Sequence, residues 1–240
     1  MSATWVLCRL AWTRLARGRA PWLLLLLALL PPVVTLIALG HASAEKSFQA
    51  AAELTLRLLV GLAAALLIAP AIGEEIEQGT LSYLWSRPVP RSALLLGKLC
   101  AFAPVIVLLL APALTCAWLL ANAGGAGTVE VGVLARTLAA LVAGAIGFAA
   151  FVGAAAAIFP RHPFPFVLGW VLGGEQLLSV LPMVQNLSVA SHALHLAGFA
   201  RRGPPPSAWE AAAWLVALTV SFLVVGLVRV TRAEYLRAEG

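Results

Sequence analysis

An all-α, membrane-embedded bundle of six transmembrane helices is the architecture this sequence points to, and three observations carry that reading. Of its 240 residues, 62% are hydrophobic and only 11% are charged, and the mean hydropathy is +0.96. A soluble domain of this length carries about 25% charged residues, so a chain this apolar has too little polar surface to face water. Apolar runs also recur at the length of about 20 residues that a helix needs to cross a bilayer core. Finally, the basic residues flank those runs instead of gathering into a patch. Despite a net charge of +6, that placement suits an anionic membrane surface and argues against nucleic acid.

The chain reads as a single transmembrane domain over 1–240. The first span, 21–40, carries no charge and holds Pro31-Pro32 in its middle. The second, 54–73, has Arg57 near one end, where a long basic side chain can reach the interface. The third lies at 99–121 within a longer uncharged stretch, and the fourth at 137–159. The fifth, 165–183, is interrupted only by Glu175, and the sixth is 211–228. Pro31-Pro32, Pro70, Pro104 and Pro112 each remove a backbone donor, so kinks are expected there. Small residues at four-residue spacing (Ala139, Ala143, Gly147; Ala149, Gly153, Ala157; Gly169, Gly173) let neighbouring helices approach closely.

Loop charges set the orientation, because basic residues accumulate on the cytoplasmic side. With the N-terminus inside, Arg9, Arg14, Arg17, Arg19, Arg87, Arg91, Lys98, Arg161, Arg229, Arg232 and Arg237 lie on the inner side. Lys46, Arg57, Arg136, Arg201 and Arg202 lie outside, a balance of eleven against five. The expectation is a multi-pass protein of the inner (plasma) membrane with both termini cytoplasmic. Residues 1–20 place Trp5, Cys8, Trp12 and Leu15 on one helical side and Arg9, Arg14 and Arg17 on the other. That pattern describes an interfacial helix, with an ordinary basic flank as the alternative. Ala42-Ser43-Ala44 resembles a signal cleavage site. The long basic region, the long apolar run and its central prolines favour an uncleaved span.

The segment after the second span concentrates charge and aromatic character. Glu74, Glu75 and Glu77 precede Gly79-Thr80-Leu81, and Leu81, Leu84 and Trp85 then share one helical face. Arg87 and Pro88-Val89-Pro90 end that short helix, and Ser92, just after Arg91, can cap the next. So short a helix needs a partner surface. Three carboxylates are repelled by anionic lipid, which favours a protein.

An acidic pair, Gly79-Thr80-Leu81, Arg87-Pro88-Val89-x-Arg91 and Gly97-Lys98 together resemble the permeases of type-2 ABC exporters. The resemblance extends to chain length, six spans, inside termini and an interfacial N-terminal helix, although Pro90 stands where the family commonly has a serine. It implies that this loop is a cytoplasmic coupling helix docking in a cytosolic ABC ATPase subunit. On that reading Glu74, Glu75 and Glu77 form the acidic end, Gly79, Leu81, Leu84 and Trp85 the docking face, and Arg87 and Arg91 the exit. It also implies two permease copies, as a homodimer, working with two ATPases. No GxxxxGKS/T phosphate cradle occurs in this chain. No catalytic residue or bound cofactor is therefore expected here, and ATP and Mg belong to the partner chain.

Glu175, beside Gln176, lies near mid-membrane, where a charge costs about 2.5–3.5 kcal/mol on insertion scales. Two readings stand for it: a substrate-path or gating residue, or a structural interhelical hydrogen bond, with the acid protonated. His192 and His195 are spaced to share a metal, but no third ligand accompanies them, so no metal site is expected. Cys8, Cys100 and Cys116 are isolated and read as small packing residues. A non-transporting membrane scaffold of an ABC-like complex remains the main alternative. An intramembrane enzyme is the lesser one, since HExxH, GxSxG and paired intramembrane aspartates are absent.

Overall fold

The computed structural model describes residue 12 and residues 20–77, 91–124, 127–181, 184–199 and 207–232. All regular structure among them is helical. In chain order the helices are α1 (Ala20–Ala28), α2 (Leu30–Leu39), α3 (Ala44–Leu54) and α4 (Val60–Glu77). Then come α5 (Arg91–Gly124), α6 (Val131–Ile158), α7 (Pro163–Gly169), α8 (Glu175–Val180), α9 (Val189–Ala197) and α10 (Ala208–Arg232). Two π-helical turns, Thr55–Leu59 and Trp170–Gly174, join α3 to α4 and α7 to α8. Among the described residues, five helical stretches are long and apolar enough to cross a membrane: Trp22–Leu39, Ala44–Pro70, Leu95–Gly124, Val131–Ile158 and Ala208–Thr231.

The first stretch breaks at Leu29, ahead of the proline pair. Pro31 and Pro32 occupy the opening turn of α2, where a missing N–H is harmless because that donor has no intrahelical acceptor. They start a helix instead of kinking one. The helix expected over 54–73 begins ten residues earlier, at Ala44. Glu45, Lys46, Gln49 and Glu53 made that stretch look like a loop, yet Ala44, Ser47, Phe48, Ala51 and Ala52 form a buried face. Arg57 is consequently not at a helix end. It sits half-buried in the first π turn, four residues after the buried Glu53, whose carboxylate accepts from Gln49 Nε2 at 2.9 Å.

α6 is the hub: α4, α5, α9 and α10 all pack on it, and most of its residues are buried. Helices in lipid gain no hydrophobic drive from meeting each other, so close van der Waals approach must hold them. The small residues of α6 provide it. A carbon added at Gly147 would stand 3.0 Å from Val189 Cγ1 of α9 and 3.2 Å from Leu215 Cδ2 of α10. One added at Gly153 would stand 3.1 Å from Leu95 of α5. Ala149, Gly153 and Ala157 are buried as a stripe. Of the other expected row, Gly147 is buried, Ala143 half-buried and Ala139 exposed, so that seam closes only toward its Gly147 end. Gly61 on α4 approaches the second π turn most closely: its added carbon would lie 2.9 Å from both Val171 methyls. Gly169 and Gly173 face open space. Cys100 and Cys116 point outward as free thiols and not into the core.

Side-chain hydrogen bonds close the turns. Asn122 brackets Val129, donating to its carbonyl at 3.4 Å and accepting its N–H at 2.7 Å, and Trp118 Nε1 donates to the same carbonyl at 3.0 Å. At the start of α10, Ser207 and Glu210 form a reciprocal capping box at 3.0 and 3.2 Å.

Candidate functional site

The segment expected to couple to an ATPase is framed by two long helices. α4 carries the positions of Glu74, Glu75 and Glu77 in its last turn, and α5 opens on Arg91. Gly79, Leu81, Leu84, Trp85 and Arg87 lie outside the described residues, as does the expected interfacial helix apart from Trp12 and Ala20. Trp12 itself donates from Nε1 to the Ala101 carbonyl of α5 at 2.9 Å. Lys98, which immediately precedes the expected third span and lies two turns into α5, is buried.

The second region centres on Glu175. α7, the Trp170–Gly174 turn and α8 form one helical run over 163–180, and Glu175 is the first residue after the π turn. A π turn adds a residue to the helical circuit and so rotates the next helical residues about the axis; such turns cluster at functional positions. The side chain of Glu175 is 3% exposed. It accepts a hydrogen bond from Ser188 Oγ, with the backbone N–H groups of Val189 and Ala190 and the Trp170 side chain beside it. Gln176, its neighbour, is half-buried.

Val189 and Ala190 are the first residues of α9, and Ser188 is its N-cap, accepting also from Ser191 N at 3.0 Å. The carboxylate thus sits on the positive end of a helix, where orphan N–H groups collect.

α9 has an unusual path. Its first residue packs on Gly147, which lies about 24 Å along α6 from Val131. Its C-cap, Gly198, faces Arg136 near the start of α6. Gly198 has φ +89°, a left-handed value that glycine adopts without strain, and it closes the helix with Gly198 N donating to His195 O at 3.0 Å. α9 therefore starts deep in the bundle and leaves by the end nearest Val131. At nine residues, about 13 Å, it is too short to cross a bilayer.

His192 and His195 both lie on α9. The His192 ring is buried, stacks on Trp214 of α10, and donates from Nε2 to the Asn186 carbonyl at 3.1 Å. Its Nδ1 and that of His195 are buried without a hydrogen-bond partner, and the two rings are 6.3 Å apart. Among the described residues no group of three or more His, Cys, Asp or Glu side chains could hold a metal ion.

Sequence reasoning singled out Glu175 but missed its donor, Ser188. The signal for Ser188 as an N-cap existed: it stands immediately before an apolar, helix-forming run, the ordinary place for one. The signal for its pairing with Glu175 did not, since it depends on how the 181–187 connection folds back.

These features define a polytopic helical membrane protein whose buried polar groups cap and join helices. The family model for ABC-2 family transporter proteins matches residues 10–173, about two thirds of the chain. The chain belongs to that family and is a type-2 ABC transporter permease. Permeases of this family are the membrane component of transport, generally not catalytic themselves, and generally work as dimers with an ATPase subunit. Comparison with curated proteins returned no match. The family match takes in the acidic end of α4 and the start of α5, and it stops just before Glu175.

Proposed function

We propose that this chain is half of an ATP-driven exporter, a homodimeric permease served by a separate ATPase that binds and hydrolyses ATP with Mg. Six spans make up the pathway, the run 163–180 being the fifth, in a cytoplasmic (inner) membrane with both termini cytoplasmic. The single observation that carries the coupling assignment is the frame around 78–90. α4 and α5 pack together, both lie inside the family match, and they present Glu74, Glu75 and Glu77 on one flank and Arg91 on the other. Three acidic residues in the last turn of a helix oppose its macrodipole and so do nothing for that helix. Their placement suits recognition by a basic surface of a partner.

Gly79, Leu81, Leu84 and Trp85 then form the docking face and Arg87 and Arg91 hold its exit. The test is co-expression with the cognate ATPase. The intact permease copurifies with it and changes its turnover. Leu81→Ala combined with Trp85→Ala retains a folded, membrane-inserted permease but loses most of that association. Unchanged association and turnover in the double variant would refute the coupling assignment.

A further inference from the structure

We infer that His192 and His195 make the seating of α9 sensitive to acid: the neutral pair lets the helix pack into the bundle, and proton uptake by the pair releases it. The His192 ring is 3% exposed, and its Nε2 lies 3.1 Å from the Asn186 carbonyl, which can only accept. Nε2 therefore carries the ring hydrogen, and in the neutral ring Nδ1 is a bare lone pair. That Nδ1 and the Nδ1 of His195 are both buried with no hydrogen-bond partner. The two ring centroids are 6.3 Å apart. Even with both nitrogens aimed at each other the gap between them is about 4 Å, beyond the hydrogen-bond reach of about 3.2 Å. Neither ring can therefore take a proton from, or share one with, the other.

A proton arriving on Nδ1 becomes a charged N–H with no acceptor inside the bundle, a group that is costly to bury. The surroundings do not offset that cost. α9 packs against α6, the π turn Thr55–Leu59, α8, the turn Gln185–Leu187 and α10. Their titratable and charged residues are Arg136 on α6, Arg57 in the π turn, Glu175 on α8, and Glu210, Arg229 and Arg232 on α10; the turn 185–187 has none. Arg136 faces the exit of α9 at Gly198, so the helix end that favours a cation already has one. Glu175 is engaged by Ser188 at the opposite end of α9, and Glu210 is exposed and accepts from Ser207 N. Trp214 stacks on His192 at 6.1 Å, the outer limit of a cation–π contact, and offers a charged ring little.

Burial accordingly holds both rings below the usual histidine range, opposed at His192 by the Asn186 carbonyl and reinforced at His195 by the neighbouring ring. A released α9 titrates near the ordinary value of about 6.5 and so binds more protons than the seated helix. Seating is thus complete above that pH. It weakens as pH falls from there toward the lowered values, by up to about tenfold per pH unit for each proton taken up.

The inference needs neither ATPase nor cargo, so it is tested on the purified permease in detergent. A nine-residue helix without its seat is unstable, and its amides report the release. Hydrogen exchange over 189–197 is compared at about pH 7.5 and 5.5, either side of the ordinary histidine value, with exposure times scaled for the intrinsic pH dependence of exchange. Protection there is expected to fall by about tenfold or more, while that of α6 holds. His192→Gln with His195→Gln keeps an N–H for the Asn186 carbonyl but cannot titrate, and its protection is expected to stay level within about twofold. Should the double variant fail to reach the membrane, His195→Gln alone, at the half-exposed position, decides; it is expected to lose about half of the response on a logarithmic scale. Level protection in the parent would overturn the switch. So would an undiminished fall in the double variant or, in its absence, in His195→Gln.

Discussion

At Gly61 a hydrogen stands where any other residue would place carbon, and the two methyls of Val171 lie 2.9 Å from where that carbon would be. At Gly169, on the run that includes Val171, the same carbon would meet nothing within 4 Å. The two sites therefore turn one substitution into a pair of opposite expectations. Gly61→Ala forces α4 away from the second π turn and is expected to destabilise by about 1–3 kcal/mol, the usual cost of overpacking. Gly169→Ala removes a helix-interior glycine in open space and is expected to be neutral or to stabilise by up to about 1 kcal/mol. Thermal unfolding in one detergent checks both, and equal shifts of one sign would contradict the packing described.

Among the elements, the long helices were legible because composition and length suffice to find them. The runs 137–159 and 211–228 correspond to α6 and α10, and 99–121 falls within α5. What composition hides is direction and junction. Glu45, Lys46 and Glu53 disguised the start of α3, since a charged residue on one face of a hairpin helix looks the same in sequence as a loop. Pro31 and Pro32 were expected to bend a span, but their cost vanishes at a helix start, and a break at Leu29 gives them one. The Glu175 cluster was legible only as one buried acid, because its partners come from a chain reversal that periodicity does not encode. Of the coupling segment, only the flanks fall within the described residues, so the docking face remains an expectation from its motif.

One junction was readable and yields a check. Ser207-Ala208-Trp209-Glu210 is a Ser-x-x-Glu box, and its reciprocal bonds start α10. Removing it with Ser207→Ala and Glu210→Ala is expected to cost about 1 kcal/mol. Faster amide exchange confined to the first turn of α10 is the expected signature. Exchange that spreads along the whole helix would show that the box anchors more than its own end.

For the whole molecule, the architecture distributes two kinds of work. α6 gathers its neighbours through small residues, and polar groups are spent at the ends and reversals of helices. The proposed coupling loop lies, in sequence, between the two helices whose movement it would transmit. Leu81→Ala with Trp85→Ala is therefore expected to leave the melting temperature of the permease within about 2 °C, consistent with surface substitutions, while abolishing its effect on ATPase turnover. A large loss of stability would mean that the loop packs on its own bundle.

The inward dip of α9 also fixes an arithmetic that the bilayer must obey. A helix that enters and leaves by one end adds nothing to the crossing number, so sidedness depends on the run 163–180 alone. That run spans 18 residues, about 27 Å, close to the thickness of a hydrocarbon core of about 30 Å. The five long stretches among the described residues give an odd number, and the proposed crossing of this run would make it even. Parity is therefore a one-bit measurement of whether a π-interrupted segment crosses. Reporters fused at each terminus are expected to read the same compartment, and opposite readings would overturn the six-span proposal.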